Sequence, residues 1–328
     1  MNMSGWKTKE ANLQVTKRGS LKKLMAVLAC LTLAVMLTAC GTKDAFSGSE
    51  GKIKITATIG MITDVVKEIG GEHVEVIGLM GSGVDPHLYK ASQGDIAKLD
   101  QADIVFYNGL HLEGKMVEIF ERMEKKKPTV AVASKIDTSQ LRAGDEEMGE
   151  FDPHIWFDVR LWMTATETIR DALIEFDSAH AADYQKNADA YLKQLEQLHK
   201  EVTDKINTIP ESSRVLVTAH DAFGYFGDAY GIKVMGLQGL STASEAGTKD
   251  VTDLRDYLIE NKIKAVFIET SVPDKAIKAV IQGAKEKGHE LKIGGELFSD
   301  AMGKDGTPEG TYIGMVRHNV DTIVNALK

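Results

Sequence analysis

Nine histidines are spread through the 328 residues, and four segments combine a histidine or a carboxylate with turn residues able to present it. Gly81-Ser82-Gly83-Val84-Asp85-Pro86-His87 and Phe151-Asp152-Pro153-His154-Ile155-Trp156 lie in the first half; Ala219-His220-Asp221 and Gly294-Gly295-Glu296-Leu297-Phe298-Ser299-Asp300 lie in the second. In each Asp-Pro-His the proline fixes its own φ and biases the preceding aspartate to extended backbone, so the histidine is offered from a stiffened loop. Neutral imidazole and carboxylate are donors for borderline divalent ions such as Zn²⁺ and Mn²⁺, and a carboxylate binding through both oxygens raises the coordination number above four. Taken singly, each of these residues also fits an ordinary loop histidine or a helix-capping aspartate. It is the set that points to a metal.

These loops must be positioned by regular elements. Short β-branched runs at 53–58, 74–79, 104–107 and 129–132 alternate with helical periods, and a second series follows Pro210 at 215–218, 233–235, 265–269 and 291–293. That alternation predicts parallel sheets covered by helices. Ligands in open α/β sheets sit beyond the carboxyl ends of the strands, so each half offers two polar side chains to one cleft. Between the halves, residues 183–209 lack proline and glycine, and Tyr184, Tyr191, Leu195, Leu198, Val202, Ile206 and Ile209 recur at spacings of three, four and seven. One long amphipathic helix joining two lobes follows; a coiled-coil seam, its rival, normally sustains more heptads with organised flanking charges. The expected fold class is therefore α/β, with two similar lobes of parallel sheet joined by one rigid helix and a site in the cleft between them.

The N-terminus reads as an export signal. Lys17, Arg18, Lys22 and Lys23 precede an uncharged run from Leu24 to Leu37 that is too short for a comfortable membrane span and ends in small residues. Leu37-Thr38-Ala39-Cys40 resembles the lipobox of bacterial lipoproteins, which implies cleavage before Cys40 and a lipid on its sulfur; a secreted protein with a chance cysteine is the alternative. The only other cysteine, Cys30, falls inside the apolar run, so no thiolate remains in the body and any metal there is held by N and O. The expected organisation is a signal peptide over 1–39, a flexible tether over 40–52, an N-terminal lobe over 53–180, the helix over 181–209 and a C-terminal lobe over 210–328. A formal net charge of −9 with no basic stripe argues against a nucleic-acid partner.

Asp85-Pro86-His87-Leu88-Tyr89, Asp152-Pro153-His154-Ile155-Trp156, His220-Asp221-Ala222-Phe223-Gly224-Tyr225-Phe226 and Phe298-Ser299-Asp300-Ala301 resemble the motifs of the manganese/zinc solute-binding lipoproteins of ABC transporters, the metal-binding receptor or adhesin-like lipoprotein family. The resemblance covers nearly the whole chain after the signal. It implies two similar lobes on one rigid helix, an ion held between them by His87, His154, His220 and Asp300, an ABC permease and its ATPase as partners, a monomer anchored outside the cytoplasm through Cys40, and no enzymatic activity. The ion is less plain. Manganese members often carry glutamate where His220 stands, and a third imidazole favours zinc. Zinc importers usually carry a histidine-rich loop before the second histidine, whereas Gly144-Asp145-Glu146-Glu147-Met148-Gly149-Glu150 is acidic and lacks histidine. Manganese is the favoured cargo and zinc the alternative.

Glu269, at a strand end, and Asp158, near His154, are candidates to accept the second N–H of a ligating imidazole; either also fits a surface carboxylate. His111 sits near a strand end and fits a packed or solvated residue better than a cleft lining. His180 and His199 belong to the solvated side of the linker region, His73, His289 and His318 lack metal-like partners at useful spacing and read as structural or surface residues, and Tyr184 and Tyr191 read as core. A secreted zinc hydrolase would keep an open coordination position and a nucleophile beside a base, and no His-Glu-x-x-His helix occurs. A surface adhesin would leave the four loops unexplained, and a chelate receptor would present aromatic or arginine side chains instead.

Overall fold

In the first lobe, β1 (Ile53–Ala57), β2 (Val74–Gly78), β3 (Ile104–Tyr107) and β4 (Thr129–Ala131) form one parallel sheet in the order β2-β1-β3-β4. The computed structural model describes residues 45–46, 51–145 and 148–328. The expected signal peptide, Cys40 and most of the expected tether lie outside the described residues. Ile55 of β1 pairs with Val76 on one edge and Ile104 on the other, and the consecutive residues Ile55, Thr56 and Ala57 are all buried, so this strand is covered on both faces, as its unbroken apolar run requires. Helix α1 (Gly60–Gly70) buries Met61, Ile62, Val65, Val66 and Ile69, a single helical stripe, against the sheet and the linker helix. Helix α2 (Gln93–Gln101) begins in a reciprocal cap: Ser92 Oγ accepts from Asp95 N, and the Asp95 carboxylate accepts from Ser92 N. Helices α3 (Val117–Glu124) and α4 (Val159–Phe176) complete the lobe.

Helix α5 runs over Ala181–Ile206, about 39 Å at 1.5 Å per residue. It starts two residues earlier than the spacing predicts and stops three earlier, with Ile209 still buried just beyond it. Its buried face, including Tyr184, Ala188, Tyr191, Leu195 and Leu198, packs against α1 and α4 of the first lobe and the C-terminal helix Tyr312–Leu327 of the second. A helix gripped from both lobes along its length is a stiff connection.

The second lobe contains β5 (Val215–His220), α6 (Gly224–Tyr230), β6 (Lys233–Gln238), α7 (Thr248–Glu260), β7 (Ala265–Glu269), α8 (Lys275–Glu286), β8 (Lys292–Leu297) and α9 (Tyr312–Leu327). Its strands pair in parallel as β5-β6 and β7-β8, with β5 beside β7. The second lobe thus carries two short parallel ladders where the first carries one four-stranded sheet. Three strands also run past their expected ends. β5 includes His220, β6 reaches Gln238, and β8 passes through Gly294-Gly295-Glu296-Leu297, which reads as loop in the sequence. Those glycines serve close packing: a Cβ on Gly294 would lie 2.8 Å from Phe267 and Ala326, and one on Gly295 2.3 Å from Thr322. Among the described residues no helix is long and apolar enough to cross a membrane.

Candidate metal centre

Each of the four predicted residues sits at a break in regular structure. His87 lies in the loop after β2, where Asp85 Oδ1 accepts from His87 N at 2.9 Å and the other Asp85 oxygen accepts from Thr242 Oγ1 of the second lobe at 2.5 Å. His154 immediately precedes a short turn over Ile155–Phe157 that leads into α4. Its loop is pinned by Asn108 Nδ2 donating to Pro153 O at 3.0 Å, Trp156 Nε1 donating to Ser299 O at 3.0 Å and Tyr312 Oη donating to Trp156 O at 2.7 Å. His220 ends β5, and Asp300 follows β8 by three residues.

One donor atom from each of His87, His154, His220 and Asp300 lies within 4.8 Å of the other three, and all four side chains are buried. Asp300 Oδ2 is 3.6 Å from His87 Nε2 and 3.2 Å from His220 Nε2, while Oδ1 is 3.5 Å from His154 Nε2. Donors bound at 2.0–2.2 Å around one ion at tetrahedral angles lie about 3.3–3.6 Å apart, so these separations suit a common centre. The three Nε2 atoms and both Asp300 oxygens are buried without a hydrogen-bond partner. Unpartnered buried polar atoms cost free energy, and five of them converging on one point are what a small cation satisfies.

The electrostatics divide the histidines. Burial pushes His87 down to about 3, so its imidazole is neutral. Burial also opposes charge on His220, but the Glu269 and Asp300 carboxylates outweigh it and raise His220 well above its ordinary value. Burial likewise works against the Asp300 carboxylate, and the imidazoles of His220, His87 and His154 outweigh it and hold Asp300 well below the usual range.

Two carboxylates orient imidazoles from behind. Glu269 Oε2 is 2.5 Å from His220 Nδ1, and Glu269 Oε1 accepts from Ala219 N and His220 N at 2.7 and 2.9 Å. Asp152 Oδ1 is 2.7 Å from His154 Nδ1 and accepts from His154 N at 3.0 Å. Asp158, expected near His154, does something else: it caps α4, accepting from Arg160 N at 2.9 Å. The residue at His154 is the aspartate of its own Asp-Pro-His. That signal was in the sequence, but its twin Asp85, shared between His87 N and Thr242 Oγ1, does not reach the His87 ring and leaves His87 Nδ1 without a partner.

The remaining histidines stay away from the cluster. His111 is exposed in a left-handed turn (φ 67°) beside a separate pocket. His73, read as a structural or surface residue, is 2.9 Å from Asp183 and stacks on His180, which pairs with Asp177. His199 is half-buried against Tyr230 Oη at 3.2 Å; His289 and His318 contact the backbone oxygens of Ile263 and Glu296.

Two α/β lobes on one packed helix, with three imidazoles and a carboxylate gathered where the lobes meet, describe a cleft-type binding protein with a cluster suited to one small cation. Comparison with known proteins agrees. The family described as "Zinc-uptake complex component A periplasmic" (ZnuA) matches residues 55–326, and the chain belongs to this family. Its members are solute-binding components of ABC importers rather than enzymes, and such components work with a membrane permease and an ATPase. The chain is 52% identical over 305 residues to the manganese-binding lipoprotein MntA of Bacillus subtilis (strain 168), covering 93% of this chain and 99% of that protein. It is 48% identical over 305 residues to the zinc-binding protein TroA of Treponema pallidum (strain Nichols), covering 92% and 98%. The solved structure of the periplasmic zinc-binding protein TroA from Treponema pallidum superposes with a TM-score of 0.82 at 49% identity, over 84% of this chain and 99% of that one.

Proposed function

We propose that this chain is the extracytoplasmic solute-binding lipoprotein of a metal ABC importer, and that His87, His154, His220 and Asp300 take one divalent ion, manganese in preference, for delivery to the permease. The observation that carries the reading is the convergence of five buried, unpartnered donor atoms on one point. Residues 1–39 would direct export, Cys40 would carry the lipid, 40–52 would tether the body, and 53–180 and 210–328 would be the lobes on either side of the 181–209 connection. Because one chain supplies all four donors, a monomer suffices. Capture exchanges the ion's water shell for three imidazoles and Asp300; release requires the permease to part the lobes. With α5 packed on helices of both lobes, the accompanying motion is modest.

Manganese is favoured by the inward aim of both Asp300 oxygens, one toward His154 and one toward His87 and His220, since two-oxygen binding gives five donors where a structural zinc site has four. The acidic, histidine-free loop of residues 144–150 points the same way. Zinc is the second reading, carried by the three imidazoles and the affinity order that places zinc above manganese; relatives named for each metal exist. The test is metal accumulation by cells lacking this chain, grown with limiting Mn²⁺ or limiting Zn²⁺ and complemented with the parent or with His154→Ala. Restoration of manganese by the parent alone supports the reading; restoration of zinc alone selects the second; restoration of neither overturns both.

A further inference from the structure

The Asp152 carboxylate that braces His154 is itself engaged on its other oxygen. Arg142 Nε lies 3.5 Å from Asp152 Oδ2 as an ion pair, and neither of these buried atoms has a hydrogen-bond partner. The far end of the same guanidinium, Nη1, donates to Asp228 on α6 of the second lobe. Helix α6 receives Arg142 at two further points. A Cβ on Gly224 would fall 2.5 Å from Arg142 Nε, so the guanidinium lies directly on this glycine and any larger residue would displace it. Tyr225 Oη accepts from Arg142 N at 3.0 Å and donates to Asp152 O at 2.8 Å. Arg142 and Asp152 are also tied to each other by backbone, with Asp152 N donating to Arg142 O at 3.0 Å. The helix that receives all this begins four residues after His220.

We infer that Arg142 is a positioning residue through which contact between the lobes holds the His154 imidazole in its metal-binding orientation: its guanidinium, seated on Gly224 and Asp228 of one lobe, fixes the Asp152 carboxylate that holds His154 Nδ1 in the other. The inference rests on the metal-binding reading above and adds a route for release. While the lobes touch, Asp152 has a fixed cationic partner and a fixed hydrogen-bond donor at its carbonyl. When they part, Arg142 loses its seat, the segment bearing Asp152 loses Tyr225, and His154 is free to turn away from the ion. A carboxylate behind a ligating imidazole contributes about 10- to 100-fold to metal affinity, and the guanidinium acts through that contribution. Its loss speeds dissociation; capture, limited by entry to the cleft, changes little.

The experiment loads the full chain, purified in detergent, with Zn²⁺ and mixes it with excess chromogenic chelator in a stopped-flow instrument, with Arg142→Ala, Arg142→Lys and Asp228→Asn beside the parent. Asp228 is exposed and touches none of the four ligands, so its variant keeps the test usable if Arg142→Ala folds poorly. The expected result is release about tenfold faster for Arg142→Ala, a smaller acceleration for Asp228→Asn, partial recovery in Arg142→Lys, and loss of the Arg142→Ala effect when His154→Ala is already present. A merely structural role would persist in the His154→Ala background and would not be rescued by lysine. A parent that holds no Zn²⁺ defeats the metal-binding reading itself; a parent that holds it while Arg142→Ala and Asp228→Asn release at the parental rate overturns this inference alone.

Discussion

Replacing Glu269 by glutamine removes one charge and no volume, yet it should disable His220. Glu269 Oε1 accepts two backbone N–H groups, from Ala219 and His220, and Oε2 lies 2.5 Å from His220 Nδ1. With the proton on Nδ1 and directed at the carboxylate, the Nε2 lone pair faces the cluster. Glutamine has one acceptor oxygen and one NH₂ group. If the oxygen keeps the two backbone donors, the NH₂ faces Nδ1, which must become an acceptor; the ring proton then moves to Nε2 and occupies the lone pair needed by a metal. If the amide is reversed, its NH₂ meets two backbone N–H groups in a buried place. Either arrangement should weaken metal binding by about 10- to 100-fold, or roughly 1.4–2.8 kcal/mol. Competition titration against a chromogenic chelator, with Mn²⁺ and Zn²⁺ separately, measures this directly. An affinity indistinguishable from the parent's for both ions would refute the role assigned to Glu269.

Three other perturbations have defined outcomes. Burial, reinforced by Glu68, raises Asp64 from 3.8 to about 6 against the hydrogen bond from Tyr312 N, the Lys67 charge and Tyr191; its stabilising proton is fully present below pH 3.8 and lost as pH rises through 6. Asp64→Asn, which keeps an acceptor for Tyr312 N, should therefore be more stable than the parent by about 1–3 kcal/mol at pH 7.5 and by little at pH 4; denaturant unfolding that shows no gain at pH 7.5 contradicts it. Leu195→Ala on the fully buried face of α5 should cost about 2–5 kcal/mol of unfolding free energy, whereas a negligible loss would mean that this helix is not held by its lobes. Metal-free and metal-loaded protein should give nearly superimposable small-angle scattering profiles because α5 packs on helices of both lobes, and a large expansion on metal removal would count against a stiff connection.

Much of this architecture could be read from residues alone, for identifiable reasons. The spacing of Tyr184, Tyr191, Leu195, Leu198, Val202 and Ile206 marks one face of a helix, and each of these residues is buried. His87, His154, His220 and Asp300 stood out together because two sit in proline-stiffened loops and two lie at or just beyond a strand end, and the fold brings their side chains together. What could not be read depended on geometry formed only in the folded chain. Asp85 and Asp152 occupy identical Asp-Pro-His motifs, yet only Asp152 is turned so that its carboxylate reaches an imidazole nitrogen. Asp158 is four residues from His154 in sequence, but the start of α4 claims it as a cap. Gly294-Gly295 reads as a loop because nothing local reveals Phe267 and Thr322 pressing on that strand. The Arg142 seat on α6 joins residues more than eighty positions apart, beyond any local signal.

The most direct test of the central claim is the metal content of the purified protein after loading with Mn²⁺ and removal of free ion, beside a His87→Ala/Asp300→Ala double variant whose fold is checked by circular dichroism. One equivalent of manganese in the parent and none in the folded variant is the predicted result. No bound metal in the parent with Mn²⁺ or Zn²⁺, or equal content in parent and variant, would contradict the assignment of these four residues as the ion's binding site.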